Sequence, residues 1–234
     1  MTSLDRPDVS LASTWAEAVS EFHDAGEHHV DGAGLWEFDT LDVTEEGCRI
    51  VVERLTPQAD PETPLPADRV HCTYFWITDG EGADREVVGF LALRHELNEW
   101  LLNEGGHIGY AVRPSRRREG HAGRALALAV RAAADLGIDR VLLTCDLDNE
   151  GSRRTIESGG GVYEDTRNGK LRYWIDTSPE MELTAGVSGT DGPTGQKIAD
   201  PRWPAIGSVE IVPTFGARSR FRRGPGGRAR AAAR

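Results

Sequence analysis

The sequence contains few cysteines and no long apolar run. Its three cysteines are an odd number, and their spacings match neither a disulfide framework nor a zinc site. No apolar stretch approaches the roughly 18 residues that cross a bilayer, and the first residues hold no basic segment leading into an apolar one. We therefore expect a cytoplasmic protein, neither secreted nor membrane-spanning, whose cysteines Cys48, Cys72 and Cys145 are free thiols, with Cys145 structural rather than nucleophilic.

The composition is that of a folded chain with an excess of acidic residues. Of the 234 residues 38% are hydrophobic and 28% charged, which suits one large domain or two small ones. The net charge of −11 is unevenly distributed, because residues 217–234 hold seven arginines and no acid while residues 1–216 carry −18. An acidic body disfavours nucleic acid and favours cationic partners. We interpret the arginine-rich end as a solvated tail, with nucleic-acid binding as the alternative.

Apolar periodicity predicts alternating helices and strands between residues 10 and 176. The predicted helices are 10–25, 44–56, 121–136 and 151–157, and the predicted strands are 70–78, 87–93, 107–112, 141–144, 161–165 and 170–176. The first helix has Ser10 as its candidate N-cap, and Ile50 is placed on the buried face of the second. The strand–helix–strand order over 107–144 predicts a parallel pair with a right-handed crossover. Residues 178–234 are expected to be a largely disordered tail with one candidate strand at 209–212.

Residues 107–126 carry the most informative pattern in the chain. A strand, His107–Val112, is followed by three arginines at 116–118, and glycines at 120 and 123 open a helix. A helix N-terminus is partly positive and has unpaired N–H groups, so each exposed cation there costs about 0.3–1 kcal/mol unless an anion is bound. Glycines let these N–H groups approach a phosphate closely, and guanidinium groups match its oxygens. We therefore predict a polyphosphate site at this turn.

This region resembles the GNAT acetyltransferase superfamily. Residues Arg117–Ala122 fit its (Gln/Arg)-x-x-Gly-x-(Gly/Ala) signature for the pyrophosphate of acetyl-CoA, and the segments from about Val70 to Trp174 follow the order of a bacterial branch. The resemblance implies an α/β fold, the acyl-CoA N-acyltransferase fold, in which a central mixed, twisted sheet is flanked by helices. The domain would span 1–177, with core motifs in 70–176 and a tail at 178–234. It also implies acetyl-CoA as co-substrate and no metal.

The resemblance assigns cofactor contacts position by position. Backbone groups of Ala111 and Val112 would pair with the pantetheine amides, and N–H groups from Arg118 to Gly123 would hold the pyrophosphate. Asn149 and Ser152 have the Asn-x-x-Ser spacing in which the asparagine contacts the cofactor, although both residue types also cap helices. The full cofactor-binding set is Ala111, Val112, Arg117, Arg118, Glu119, Gly120, His121, Ala122, Gly123, Arg124, Asn149 and Ser152.

Acetyl transfer to an amine requires loss of an ammonium proton, attack on the thioester and usually protonation of the departing thiolate. Direct attack needs positioning and a donor to the carbonyl oxygen, expected from Val112 N–H, rather than a covalent nucleophile. Glu104 resembles the glutamate base of some members, and His107, whose ordinary pKa is about 6.5, is the second candidate base. Where many members have a tyrosine acid, this chain has Ile156. Weaker candidate bases are His95, Glu96 and Glu99.

Other interpretations of the same residues remain open. Gly120, Gly123 and Asp146 imitate a Rossmann fingerprint, but seven residues separate Val112 from Gly120, whereas a Rossmann turn starts at the strand end. A catalytically weak acyl-CoA sensor of the same fold would also fit the missing tyrosine. For the enzyme, we expect a small-molecule or peptide amine as acceptor, with no nucleic-acid or membrane partner, and leave a homodimer open.

Overall fold

The computed structural model describes residues 1–177 together with 210–212. In this part of the chain the α-helices are α1 (Ala12–Asp24), α2 (Glu45–Leu55), α3 (His121–Asp135) and α4 (Glu150–Ser158). The strands are β1 (Ser3–Asp5), β2 (Thr40–Asp42), β3 (Cys72–Asp79), β4 (Glu86–Arg94), β5 (Ile108–Val112), β6 (Arg140–Asp146), β7 (Val162–Arg167), β8 (Lys170–Asp176) and β9 (Glu210–Val212).

The strands form two antiparallel sheets and a short parallel pair. The first sheet has the order β1-β3-β4-β5, the second β6-β8-β7, and β2 pairs with β9. The turn between β7 and β8 has positive φ at both central residues, 48° at Asn168 and 79° at Gly169, as a type I′ hairpin turn requires. The strand predicted at 209–212 is present as β9, and the rest of the predicted tail lies outside the described residues.

The expected parallel ladder between β5 and β6 is not formed. A backbone hydrogen bond of 2.7 Å from His107 N–H to the Leu142 carbonyl joins the two segments at the start of β5. The strands themselves belong to different sheets. Thus the crossover through α3 brings β6 beside β5 without continuing the sheet, and a cavity opens between them.

Alternating side chains of β4 point into two apolar clusters on opposite faces of the first sheet. Phe90 packs with Trp15 and Phe22 of α1, whereas Leu91 packs with Leu126 of α3 and Leu143 of β6. Full burial of a side chain of this size stabilises the fold by about 1.5–3 kcal/mol. The two clusters fix α1 and α3 on opposite faces and thereby fix the positions of the loops at their ends.

Two details of the helices differ from the sequence predictions. The chain before α1 forms a 3₁₀ turn whose cap is Asp8, which accepts a hydrogen bond of 2.8 Å from Ser10 N–H, so Ser10 is not the cap. Thr44 does cap α2, accepting from Gly47 N–H at 3.2 Å. The buried face of α2 contains Cys48, Val51 and Leu55, and Ile50 is 48% exposed, contrary to the prediction.

No helix in the described part of the chain is long and apolar enough to cross a bilayer.

Candidate active site

A cavity of about 1060 Å³ lies between β5 and β6. Much of its lining comes from three parts of the fold: the start of α3, the facing strands with the first turn of α4, and the loops that follow α1 and precede β3. Residues that represent these parts are Gly120, Ala122 and Gly123; Tyr110, Val112, Cys145, Asn149 and Ser152; and His29, Asp31, Trp36 and Asp68. One continuous space therefore contains most of the predicted cofactor residues together with a polar loop that the sequence did not single out.

The ladder between β4 and β5 decides which backbone groups face the cavity. Its register has no shift, and its ends are fixed by hydrogen bonds from Arg94 N–H to the His107 carbonyl (2.8 Å) and from Arg113 N–H to the Val88 carbonyl (2.9 Å). Because alternate residues of an antiparallel strand bond to the partner, the backbone groups of Ala111 are directed to β4. Those of Tyr110 and Val112 are directed towards β6. The Ala111 backbone groups are therefore bonded to β4 and do not face the cavity, contrary to the prediction.

The start of α3 leaves backbone N–H groups without a partner among the described residues. Gly120, at φ 83°, occupies the N-cap position with no side-chain hydrogen bond, and the first turn contains no acid. The first helical hydrogen bond runs from Arg124 N–H to the Gly120 carbonyl at 3.2 Å, so the N–H groups of 121–123 are unpaired within the helix. A Cβ atom on Gly123 would meet nothing within 4 Å. This end of the helix is chemically suited to a phosphate.

Arg116 already has anionic partners within the protein. Its guanidinium bonds to Asp79 and Glu119 at 3.0 Å each and also to Glu86, and the side chain is 20% exposed. These carboxylates come from β3, β4 and the turn itself. The prediction that all three arginines need a phosphate is thus wrong for Arg116, which instead ties the turn to the first sheet.

Two neighbouring arginines differ in how they are held. Arg117 donates to the Val112 carbonyl at 2.9 Å and pairs with Glu27 at 2.6 Å. Arg118 is exposed at a left-handed φ of 65°, and within the described residues its side chain makes no hydrogen bond or ion pair. Arg118 is therefore the guanidinium most available to an anionic ligand.

Three further predicted cofactor residues stabilise the turn. His121 is buried, with Nδ1 hydrogen-bonded to the Thr2 hydroxyl at 2.9 Å and Nε2 lying 3.2 Å from Glu119. Arg124 donates to Thr2 and to the Glu119 carbonyl, at 2.7 Å each. His121 lines the cavity, whereas Glu119 and Arg124 are outside its lining.

At the start of α4, Asn149 and Ser152 combine both predicted roles. The Asn149 side-chain oxygen accepts from Ser152 N–H at 3.0 Å, which is a helix cap. Both residues also line the cavity, and the Ser152 hydroxyl lies 3.1 Å from the Tyr110 hydroxyl. Ile156, one turn further along α4, is completely buried.

The two candidate bases occupy different environments. Glu104 lies in a π-helical turn, Leu101–Gly105, lines the cavity, and accepts from the Asn168 side chain at 3.1 Å. His107 is 7% exposed, and its Nδ1 accepts from Leu142 N–H at 2.9 Å. Burial, assisted by Arg94, lowers the pKa of His107 to about 4. His107 is thus neutral and lies outside the cavity lining, contrary to its expected role as a base.

The weaker candidate bases are not at the cavity. His95, Glu96 and Glu99 are absent from its lining in the described structure. The His95 Nε2 is hydrogen-bonded to the Thr73 hydroxyl at 2.9 Å, and burial lowers the pKa of this histidine. None of the three is placed to contact a ligand in the cavity.

A polar loop that no sequence pattern singled out follows α1. His29 Nε2 lies 3.4 Å from an Asp31 carboxylate oxygen, and this hydrogen bond raises the pKa of His29 against the opposing effect of burial. Gly32, at φ 80°, holds the loop against the sheet, because a Cβ there would lie 2.5 Å from the Gly109 carbonyl. Two histidines followed by glycines at 32 and 34 indicate a constrained polar loop, but only tertiary structure places it opposite β5.

Solved structures with a similar fold are acetyltransferases. They include RimJ of Mycobacterium smegmatis in complex with CoA-disulfide (19% identity, 75% of this chain and 81% of that chain, TM-score 0.53). The microcin C7 self-immunity acetyltransferase MccE in complex with acetyl-CoA and AMP is 13% identical, over 75% of this chain and 92% of that chain, with a TM-score of 0.50. The ribosomal-protein-S5-alanine acetyltransferase from Vibrio fischeri is 16% identical over the same shares, also at 0.50.

These identities support the fold alone, and no curated protein matches the chain. The family is established by the sequence itself, since residues 42–160, just over half of the chain, match the model of the acetyltransferase (GNAT) family. Sequence signature, α/β fold and family match agree. The chain therefore belongs to the acetyltransferase (GNAT) family, whose members are acetyl-CoA-dependent enzymes.

Proposed function

We propose that the protein transfers an acetyl group from acetyl-CoA to a primary amine, and that the amine attacks the thioester directly while both substrates are bound. The observation that carries the proposal is that the uncapped start of α3 opens into the same cavity as the Tyr110 backbone and the Val112 N–H, which are not bonded to β4. A helix start suits a diphosphate, and a free strand edge suits an extended amide chain. CoA contains both, joined in one molecule.

In the proposed complex CoA is bound by the start of α3, by β5 and by the start of α4. The N–H groups of residues 121–123 and the Arg118 guanidinium bind the diphosphate, with Arg117 beside them. The Tyr110 backbone pairs with the pantetheine amides, and Asn149, which lines the same cavity, contacts the arm. The Val112 carbonyl is already bonded to Arg117, so Val112 contributes its N–H group. Glu119 and Arg124 contribute indirectly, because their hydrogen bonds fix the turn that presents these groups.

Acetyl-CoA supplies the activated thioester, and the residues of this chain orient it and move protons. Val112 N–H, directed into the cavity, donates to the carbonyl oxygen on which negative charge develops. Glu104 removes the ammonium proton of the acceptor, directly or through water. Glu104 is retained as base because this residue lines the cavity, whereas His107 lies outside the lining and its acceptor nitrogen is already bonded to Leu142 N–H.

We propose a small-molecule or peptide amine as the acceptor. Asp31, Asp68 and Glu104 line the cavity and favour a cationic ligand. The name of the Vibrio fischeri structure gives an alanine of a ribosomal protein as the acceptor of that enzyme, which supports inclusion of peptide amines among the candidates.

We assign the activity to residues 1–177 as one domain. The residues that line the cavity extend from Glu27 to Lys170, so every contact proposed above falls within this range. Residues 178–234 are proposed to be a C-terminal segment that does not contribute to the catalytic site.

One observation favours a second candidate, an acyl-CoA sensor without efficient catalysis. Ile156 stands where many family members have a tyrosine acid, and it is completely buried. A sensor would bind CoA tightly and release no thiol with any amine. This outcome is distinct from the absence of CoA binding, which would contradict both candidates.

The test measures turnover by the wild-type protein and the CoA affinity of a variant with a negative charge at the start of α3. Wild-type protein is incubated with acetyl-CoA and a panel of polyamines, aminoglycosides and lysine-bearing peptides, while free thiol and acetylated product are measured. Gly123→Asp is expected to raise the CoA dissociation constant at least about tenfold, because the new carboxylate opposes the diphosphate in open space. Ala127→Asp, exposed one turn later on α3, is the matched control with unchanged affinity. Equal CoA affinity for the two variants in calorimetry would contradict the assigned diphosphate site.

A further inference from the structure

Departure of CoA from the tetrahedral intermediate leaves a thiolate that requires a proton. Ile156 on α4 carries no proton to give, and its side chain is completely buried. Among the described residues that line the cavity between β5 and α4, Tyr110 has a hydroxyl group that can serve this purpose.

The side chain of Tyr110, on β5, extends to the first turn of α4 on the facing side of the cavity. Its hydroxyl lies 3.1 Å from the Ser152 hydroxyl, four residues before Ile156 and hence on the same helical face. Ser152 is itself held in place, since its N–H donates to the Asn149 side chain at 3.0 Å. The phenol is therefore fixed at the first turn of α4, between the strand that is to bind the pantetheine arm and the helix that has Ile156 in place of a tyrosine.

We propose that the Tyr110 hydroxyl protonates the departing CoA thiolate, in place of an acid on α4, with Ser152 holding the hydroxyl in position. The inference rests on the proposed acetyl transfer. The acceptor nitrogen forms the new C–N bond, the C–S bond breaks with its electron pair going to sulfur, and the phenol O–H proton passes to sulfur. The nitrogen, now bonded to the acetyl group, loses its extra proton to solvent. The phenolate is reprotonated by the proton that Glu104 took from the ammonium, so no further reactant is needed.

The environment of Tyr110 keeps it in the form that can act as an acid. Burial raises its pKa above the ordinary value for tyrosine, and the hydrogen bond with Ser152 opposes this only in part. The phenol is thus protonated at neutral pH and ready to donate. Burial also destabilises the phenolate after transfer, which favours its rapid reprotonation.

Tyr110→Phe removes the proton and keeps the ring. Its kcat is expected to fall about 100-fold, the range of general acid catalysis, while the CoA dissociation constant measured by calorimetry stays within about twofold. Tyr163→Phe is the matched control: this tyrosine is on exposed β7, and its hydroxyl is 2.8 Å from Thr166, away from the cavity. Its kcat should equal that of the wild type.

A second measurement separates proton donation from a structural hydroxyl. Fluorotyrosine at position 110 keeps the hydrogen bond and lowers the phenol pKa, so kcat should recover and its decline at alkaline pH should move to lower pH. A purely structural hydroxyl would restore kcat without moving the alkaline limb, which would overturn the inference. A Tyr110→Phe variant with kcat within about threefold of wild type would overturn it too. Wild-type protein that binds CoA and acetylates no amine would instead overturn the proposed function and this inference together.

Discussion

The imidazole of His107 accepts the Leu142 N–H at 2.9 Å and packs edge-on against Trp174, with ring centroids 6.1 Å apart. Removal of water from around the ring lowers its pKa to about 4, and Arg94 acts in the same direction. Glu104, three residues earlier, lines the cavity. Sequence spacing places both residues before the same strand and cannot separate them, because burial is a property of the tertiary structure.

Replacement of His107 by glutamine is expected to make stability less sensitive to acid. In the folded protein His107 takes up a proton only near pH 4, whereas the unfolded chain does so near 6.5. Stability is therefore fully present above pH 6.5 and falls as the pH drops towards 4, by up to about 3 kcal/mol from this group. His107→Gln lacks this loss, so its free energy of unfolding in urea should decline less than that of wild type over this range.

The matched control for this comparison is His28→Gln, because His28 is an exposed histidine. Its decline with falling pH should run parallel to that of the wild type, because carboxylate protonation affects all three proteins equally. Parallel curves for His107→Gln and wild type would show that the buried imidazole does not resist protonation.

At the scale of elements, long periodic segments were predictable, whereas the short strands β1 and β2 were not. The prediction of helix 121–136 is confirmed by α3, and the strands predicted at 70–78 and 87–93 are confirmed by β3 and β4. β1 has three residues, and it exists because residues 3–5 pair with 76–78, over 70 positions away. No local pattern encodes such a contact. The polar loop that carries His29 and Asp31 was missed for the same reason, since its position depends on contact between Gly32 and β5.

Gly32→Ala tests whether this contact positions the loop for the acceptor. The new Cβ would lie 2.5 Å from the Gly109 carbonyl and 2.8 Å from the Leu91 Cα, so the loop must move. We expect a loss of about 1–3 kcal/mol in unfolding free energy and an increase in the amine KM, with CoA affinity unchanged. Gly26→Ala is the control, because its φ of 76° is similar and nothing lies within 4 Å. Identical stability and KM in the two variants would show that the loop does not depend on the Gly32 contact.

At the scale of the whole molecule, the family signature predicted where α3 starts. It did not predict which of the arginines before α3 are already paired with carboxylates. Arg116 is bound by carboxylates from two distant strands, and Arg118 is exposed in a left-handed conformation. Neither fact follows from three identical letters in a row. The charge of the body, by contrast, is read directly from the sequence: residues 1–216 carry −18, and the last 18 residues carry seven arginines. This asymmetry has a kinetic consequence for a cationic acceptor.

The acidic body should accelerate the encounter with polycationic amines, and the arginine-rich end should weaken this effect. For an acceptor such as spermidine, kcat/KM is expected to fall as salt rises, because the Debye length shrinks from about 10 Å at 0.1 M to about 3 Å at 1 M. A chain ending at Gly216, with −18 instead of −11, should show higher kcat/KM at low salt and a steeper decline, converging with the full chain at high salt. A monoamine acceptor serves as control, since its single charge gives a shallow slope. Equal slopes for both chains with spermidine would mean that the net charge of the molecule does not guide the acceptor to the cavity.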